Sequence, residues 1–167
     1  MQNYTSANTS INKAKVPAIF KKLPWGAGQV NLDLGGGKYD TASEYLEQFG
    51  TRNLVYDPYN RSALHNMSVQ EELFARGGAD SVTISNVLNV IDDEEARLEV
   101  LDFAKHWLHR NGECFITVYE GDRSSIGRQT GKDQWQNNMP LKAYLQEVRA
   151  VFPNASIMRG MIVASRG

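Results

Sequence analysis

Three consecutive glycines, Gly35, Gly36 and Gly37, lie between two carboxylates, Asp33 just before them and Asp57 well after. Glycine lets the backbone come close to a ligand because no Cβ stands in the way. The N–H groups that open a following helix point into such a turn. An acid about 20 residues further on, at the tip of the next strand, is placed to accept hydrogen bonds from both hydroxyls of a ribose. This order of residue types predicts a cleft for an adenosine-containing molecule.

Two cofactors compete for such a cleft. A dinucleotide fingerprint wants Gly-x-Gly-x-x-Gly and no acid near the pyrophosphate. Gly35 and Gly37 fit its first two positions, but Asp40 occupies the third. Asp33 would also set negative charge beside a diphosphate, which Coulomb repulsion disfavours. S-adenosylmethionine has no phosphate and carries a sulfonium and an ammonium, so a carboxylate there is favourable. A nicotinamide-nucleotide module is therefore the weaker alternative.

The run Asn31-Leu32-Asp33-Leu34-Gly35-Gly36-Gly37, with Asp57 after the second strand, resembles the first motifs of class I S-adenosylmethionine-dependent methyltransferases. The resemblance implies that Asp33, Gly35, Gly36, Gly37 and the nearby Tyr39 line the methionyl side of the cofactor. Asp57, Pro58 and Tyr59 would serve the ribose, and Ser85, Asn86 and Val87 the next strand tip. The short chain and the Asp57-Pro58-Tyr59-Asn60 turn also resemble small methyltransferase-like proteins of phage and bacterial origin. An S-adenosylmethionine-binding or -degrading protein of anti-restriction type is the alternative in which no methyl is transferred.

Catalytic candidates follow from the reaction. Methyl transfer is an in-line displacement at a carbon already activated by positive sulfur, so the protein mainly positions. Glu120 and Asp122 are candidate general bases, Tyr119 a hydrogen-bond donor, and Asn86 a partner for an acceptor amine or amide. Arg123, Arg128 and Lys132 can meet a carboxylate or phosphate, and Trp135 either stacks on the acceptor or pins its loop. Asn86 is followed by Val87-Leu88, so the Asp/Asn-Pro-Pro-aromatic signature of amino-group DNA methyltransferases is absent, as is a Pro-Cys nucleophile. The acceptor is expected to be a small molecule or a nucleobase.

The elements that must position these residues alternate between strand and helix. Strands are predicted at Val30 to Leu34, Asn53 to Tyr56, Ser81 to Ser85 and Glu113 to Tyr119. Helices are predicted at Thr41 to Phe49, Arg61 to Arg76, from a cap at Asp92 or Asp93 to about Arg110, and at Leu141 to Phe152. The helix from Arg61 offers Leu64, Met67, Val69, Leu73 and Phe74 for packing. Ala155 to Met158 and Met161 to Ser165 form a closing hairpin. The fold class is α/β: a three-layer Rossmann-like domain over residues 1–167 with a mostly parallel sheet, its C-terminal hairpin antiparallel. Only one helix fits between the second and third strands, so one edge strand of the full methyltransferase fold is expected to be missing. The strand that normally contacts adenine is then gone, leaving Tyr59, Met67 or the N-terminal arm to replace it. Residues 1–28 read as an arm and a short helix, with Thr5, Ser6, Thr9 and Ser10 as a possible lid and residues 1–10 mobile without ligand. Residues 120–140 read as a long polar loop on the substrate side.

Composition sets outer bounds. The chain has 167 residues, 41% hydrophobic and 22% charged, and a formal net charge of −1, so no global positive field recruits duplex nucleic acid. No apolar run approaches the roughly 20 residues of a membrane helix. The single cysteine, Cys114, sits in an apolar strand as a small hydrophobe and suits a reducing, cytoplasmic setting. His65, His106 and His109 have no metal-ligand spacing, and no metal is expected.

Overall fold

The computed structural model describes residues 1–9 and 15–167. Ser10, Lys13 and Ala14 of the expected arm and first helix lie outside the described residues. After a short 3-10 turn at Ala7–Thr9, the elements run α1 (Ala18–Lys22), β1 (Val30–Leu34), α2 (Thr41–Glu47), β2 (Arg52–Tyr56), α3 (Ala63–Arg76) and β3 (Ala79–Ser85). They continue with α4 (Glu94–Trp107), β4 (Leu108–Thr117), β5 (Arg128–Gly131), β6 (Gln134–Gln136), α5 (Leu141–Val151), β7 (Ser156–Met158) and β8 (Met161–Ser165).

The main sheet has the order β2-β1-β3-β4-β8-β7. β2, β1, β3 and β4 are parallel, whereas β8 runs antiparallel to both β4 and β7. Leu32 and Leu34 of β1, Val82 and Ile84 of β3 and Ile116 of β4 are buried in a core shared with α3, α4 and α5. Ile19 and Phe20 of α1 and Ala42 and Leu46 of α2 form a second core on the other face with Met161. The result is three layers, with β2 as the edge strand. The chain leaves β1 for β2, then crosses back by α3 to β3 on the other side of β1. Strand order therefore reverses between β1 and β3, where a crevice opens beyond the carboxyl ends of the strands.

Local rules explain the boundaries. Ser62 caps α3 by accepting from His65 N–H, and Gly77 ends it in the left-handed conformation at φ 83°. Asp93 caps α4 by accepting from Ala96 N–H, with Glu94 and Glu95 in the favourable first turn.

Three expectations need correction. α4 stops at Trp107 rather than near Arg110, because Leu108 turns inward and begins β4. On α3, Val69 and Leu73 are buried, but Leu64, Met67 and Phe74 are 79%, 53% and 82% exposed. A single helix over an edge strand has no second layer to receive its outer face. The segment 120–140 is not a plain loop. It carries the β5–β6 hairpin, whose strands of 4 and 3 residues are too short to give an alternating signal.

Candidate functional site

A cavity of about 1000 Å³ lies over the carboxyl ends of the parallel strands. Gly35 and Gly37 from the turn after β1, Asp57, Pro58 and Tyr59 after β2, and Ser85, Asn86 and Val87 after β3 all line it. Tyr119 and Asp122 line it from beyond β4. The structure thus brings together most of the residues singled out by sequence.

The glycine turn has a local reason for its composition. Gly35 adopts φ +68°, and a Cβ there would come within 2.6 Å of Val87 Cγ2. At Gly36 an added Cβ would fall 2.5 Å from Asp33 Oδ2. Both faces of the turn are therefore closed to any side chain, one by Val87 and the other by Asp33. Arg61 ties the turn from outside: its Nε donates to Gly37 O (2.8 Å), and its Nη2 to Tyr39 O (3.0 Å) and to Asp40 (2.8 Å).

Asp33 does not line the cavity. It is buried beneath the turn, where Thr83 Oγ1 donates to its Oδ1 at 3.3 Å. Burial pushes its carboxyl up to about 7, against the lowering effect of hydrogen bonds from Asn53 and Thr83. Its neighbourhood is a polar seam within the sheet: Asn31 donates to Asn53 and Thr83, and accepts from Ser81. Gly36 and Tyr39 are likewise outside the cavity walls.

Asp57 lines the cavity but is only 4% exposed. Its Oδ2 accepts from Gly37 N–H (2.9 Å) and Asn60 Nδ2 (3.1 Å), and its Oδ1 from the N–H groups of Tyr59 and Asn60 (both 3.0 Å). Asn66, buried on α3, clamps the backbone of the same residue by accepting from Asp57 N–H and donating to Asp57 O, both at 3.0 Å. Asp57 is thus the pin that joins the glycine turn to the turn after β2.

Among the catalytic candidates, Asn86 is exposed at φ +56°, a conformation that asparagine tolerates. Tyr119 is 62% exposed. Asp122 is held below the usual carboxylate range by the Ser124 hydroxyl and N–H, with a further contribution from Arg128. Glu120 is not in the cavity wall: its Oε2 accepts from Leu141 N–H at 2.7 Å and so serves the start of α5.

The roof is built by two segments that meet each other. Thr5 N–H donates to Asp133 Oδ1 (2.9 Å), the Thr5 hydroxyl donates to the same carboxylate, and Ser6 N–H donates to Asp133 O (2.9 Å). Tyr4 stacks on Trp135 with centroids 5.2 Å apart, and Asn3 is held by Asp92. Gln2, Thr5, Ser6 and Ala7 line the cavity from this side. Asn3, Tyr4, Thr5 and Ser6 of this arm thus rest on Asp92 and the β5–β6 hairpin. Of the expected adenine contacts, Tyr59 lines the cavity and Met67 does not. Trp135 both lines the cavity and pins its hairpin, since its Nε1 donates to Asn137 Oδ1 at 2.8 Å.

Arg61, Asn66, Asn89 and Asn137 were not singled out by sequence reasoning. Each is a polar residue of a kind common at the surface, and nothing in residue type alone separates such a residue from a solvated one.

Among solved structures, one of PigF with SAH aligns with a TM-score of 0.62 at 14% identity, covering 90% of this chain and 55% of that one. The Burkholderia thailandensis 1,6-didemethyltoxoflavin-N1-methyltransferase aligns with a TM-score of 0.61 at 16% identity, covering 83% and 71%. A SAM-dependent methyltransferase from Aquifex aeolicus aligns at 0.54 and 11% identity, covering 88% and 87%. This chain has the methyltransferase fold. It spans little more than half the length of PigF. No protein-family model matches the chain, and no curated protein matches it.

No helix among the described residues is long and apolar enough to cross a membrane. Cys114 is fully buried, and burial pushes its thiol up to about 12.

Proposed function

We propose that this chain binds S-adenosylmethionine in the cavity over β1, β2 and β3 and transfers its methyl group to a small-molecule or nucleobase acceptor. The observation that carries this reading is the convergence of the glycine turn, Asp57 and the Ser85–Val87 tip on one cavity. The donor set fits the cofactor with one condition. Four hydrogen bonds already fill the acceptor sites of the Asp57 carboxylate, so a ribose diol needs one of them released. The Asn60 Nδ2 contact, the longest at 3.1 Å, is the one that a side-chain rotation frees.

From Asp57 the cavity continues along α4. Tyr56 packs on Phe103 with ring centroids 4.6 Å apart, and Val100 and Ala96 extend the same wall. With β2 at the edge of the sheet, this apolar wall is the seat for the adenine ring, and Gln2 of the arm also lines the cavity. Gly35 and Gly37 then face the methionyl portion with backbone alone. The bound cofactor supplies an electrophilic methyl group. The chain orients the acceptor from the roof, and Asp122, ionised at neutral pH, can take up a proton.

Calorimetry with S-adenosylhomocysteine tests the reading, using Asp57→Ala and Val100→Asp beside the parent chain. Each substitution is expected to weaken binding by about 2 kcal/mol, or roughly thirtyfold. Val100→Asp guards against a folding defect at Asp57. If both variants melt normally and bind as the parent does, the cofactor does not lie where proposed.

A further inference from the structure

Of the three basic residues in segment 120–140, only Arg128 lines the cavity. Among the described residues it is also the only basic side chain there. Its place in the hairpin sets the direction it takes. Arg128 of β5 pairs in register with Gln136 of β6. Residues directly opposite in an antiparallel pair project on the same face. Gln136 is 8% exposed and lines the same cavity, so that face of the hairpin is the inner one. Arg128 itself is exposed, which sets it at the open side of the cavity. Thr130, two residues along β5 where the register shifts, lines the cavity as well.

The acids of the cavity leave this arginine unpaired. Asp57 is saturated by its four donors, and Glu99 stands on α4 next to Val100 of the apolar wall. Asp122 accepts from Ser124 N–H (2.9 Å) and feels Arg128 only as a more distant charge. Among the described residues the Arg128 side chain makes no hydrogen bond or ion pair. Gln136 Oε1 accepts from Asn138 N–H (3.3 Å), while its Nε2 has no partner among the described residues. A guanidinium presents parallel N–H donors that match the two oxygens of a carboxylate. A dianionic phosphate fits less well, because three carboxylates line the cavity against one arginine. A nucleic-acid strand needs several phosphate contacts, and the cavity offers no second basic side chain.

We infer, resting on the cofactor reading above, that the methyl acceptor is a small molecule bearing a carboxylate, held by the Arg128 guanidinium with Gln136 and Thr130 beside it. Anchoring that end at the roof leaves the reacting atom of the acceptor to face the cofactor's methyl group. Arg128 is on this account an acceptor-binding residue that sets specificity and takes no part in holding the cofactor.

The test uses the chain saturated with S-adenosylhomocysteine and two matched probe pairs, read by ligand-observed NMR titration at neutral pH. The pairs are benzoate with benzamide and indole-3-acetate with indole-3-acetamide. The acid is expected to bind roughly fivefold more tightly than the amide in at least one pair, a modest factor because Arg128 is exposed. In Arg128→Gln that preference should vanish, while S-adenosylhomocysteine affinity and melting temperature hold. Arg128→Lys should keep part of it, because the charge remains and the planar fork is lost. Phenyl phosphate should bind no better than benzoate. Amides that bind as well as acids in both pairs, an acid preference that survives Arg128→Gln, or tighter binding of phenyl phosphate would each overturn the inference. A fall in S-adenosylhomocysteine affinity in Arg128→Gln would also overturn it, by putting the arginine on the cofactor's own carboxylate. Failure of the parent chain to bind S-adenosylhomocysteine would instead remove the cofactor reading beneath it.

Discussion

Replacing Asp33 by Asn should make this protein more stable above neutral pH, although Asp33 belongs to the most recognisable motif in the chain. The carboxyl is 2% exposed, and burial raises it from 3.8 to about 7. A group whose folded value exceeds its unfolded value holds its proton in the native state after the unfolded chain has released it. Its contribution is therefore fully present below about pH 4 and is lost as pH climbs through 7. At 1.36 kcal/mol per unit, the span corresponds to at most about 4 kcal/mol. Asn is nearly isosteric, can still accept from Thr83 Oγ1, and does not titrate. The difference in stability between Asp33→Asn and the parent should be near zero at pH 4 and grow to about 4 kcal/mol at pH 8. For a chain of this size that is a rise of about 8–16 °C in melting temperature. Urea or thermal unfolding of both proteins across this pH range measures it, and the subtraction cancels all other carboxylates. A difference that stays flat with pH, or a variant that is less stable at pH 8 than at pH 4 relative to the parent, would refute the buried, protonating Asp33.

Gly35→Ala should destabilise by about 2–4 kcal/mol, through left-handed strain and the contact with Val87; adding Val87→Ala should recover the contact part and leave about 1–2 kcal/mol of strain, measurable as a double-mutant cycle. Asp133→Ala removes the acceptor of both Thr5 bonds and should speed S-adenosylhomocysteine release severalfold in stopped-flow, with melting temperature changed by only a few degrees. Cys114, with its thiol pushed up to about 12, should not react with Ellman's reagent in the native protein at pH 8, whereas the unfolded chain should release one equivalent of thiol chromophore.

Much of this architecture could be read from the chain because local and tertiary signals agree. The β1–glycine–α2 unit, the Asp57 tip, the capped helix after Asp93 and the closing hairpin each combine a hydrophobic period with a matching turn residue. The reading failed where contacts depend on what a helix or loop meets in space. Leu64, Met67 and Phe74 have the spacing of a packed stripe, yet α3 lies over an edge strand and nothing among the described residues covers that face. Glu120 looks like a base at a strand tip, but the start of α5 lies close enough to claim it. The motif points Asp33 at the ligand, whereas its side chain lies under the turn because strand alternation sends Leu32 and Leu34 to one face and Asp33 to the other. Asn89 and Asn137 sit in turns where many polar residues are merely solvated, so only their burial distinguishes them.

The most direct measurement is a titration of the parent chain with S-adenosylhomocysteine and, separately, with NAD, followed by calorimetry and by melting temperature. The account predicts saturable one-to-one binding of S-adenosylhomocysteine with a raised melting temperature, and no response to NAD. A melting curve that S-adenosylhomocysteine leaves in place at saturating concentration, or tight binding of NAD instead, would contradict it.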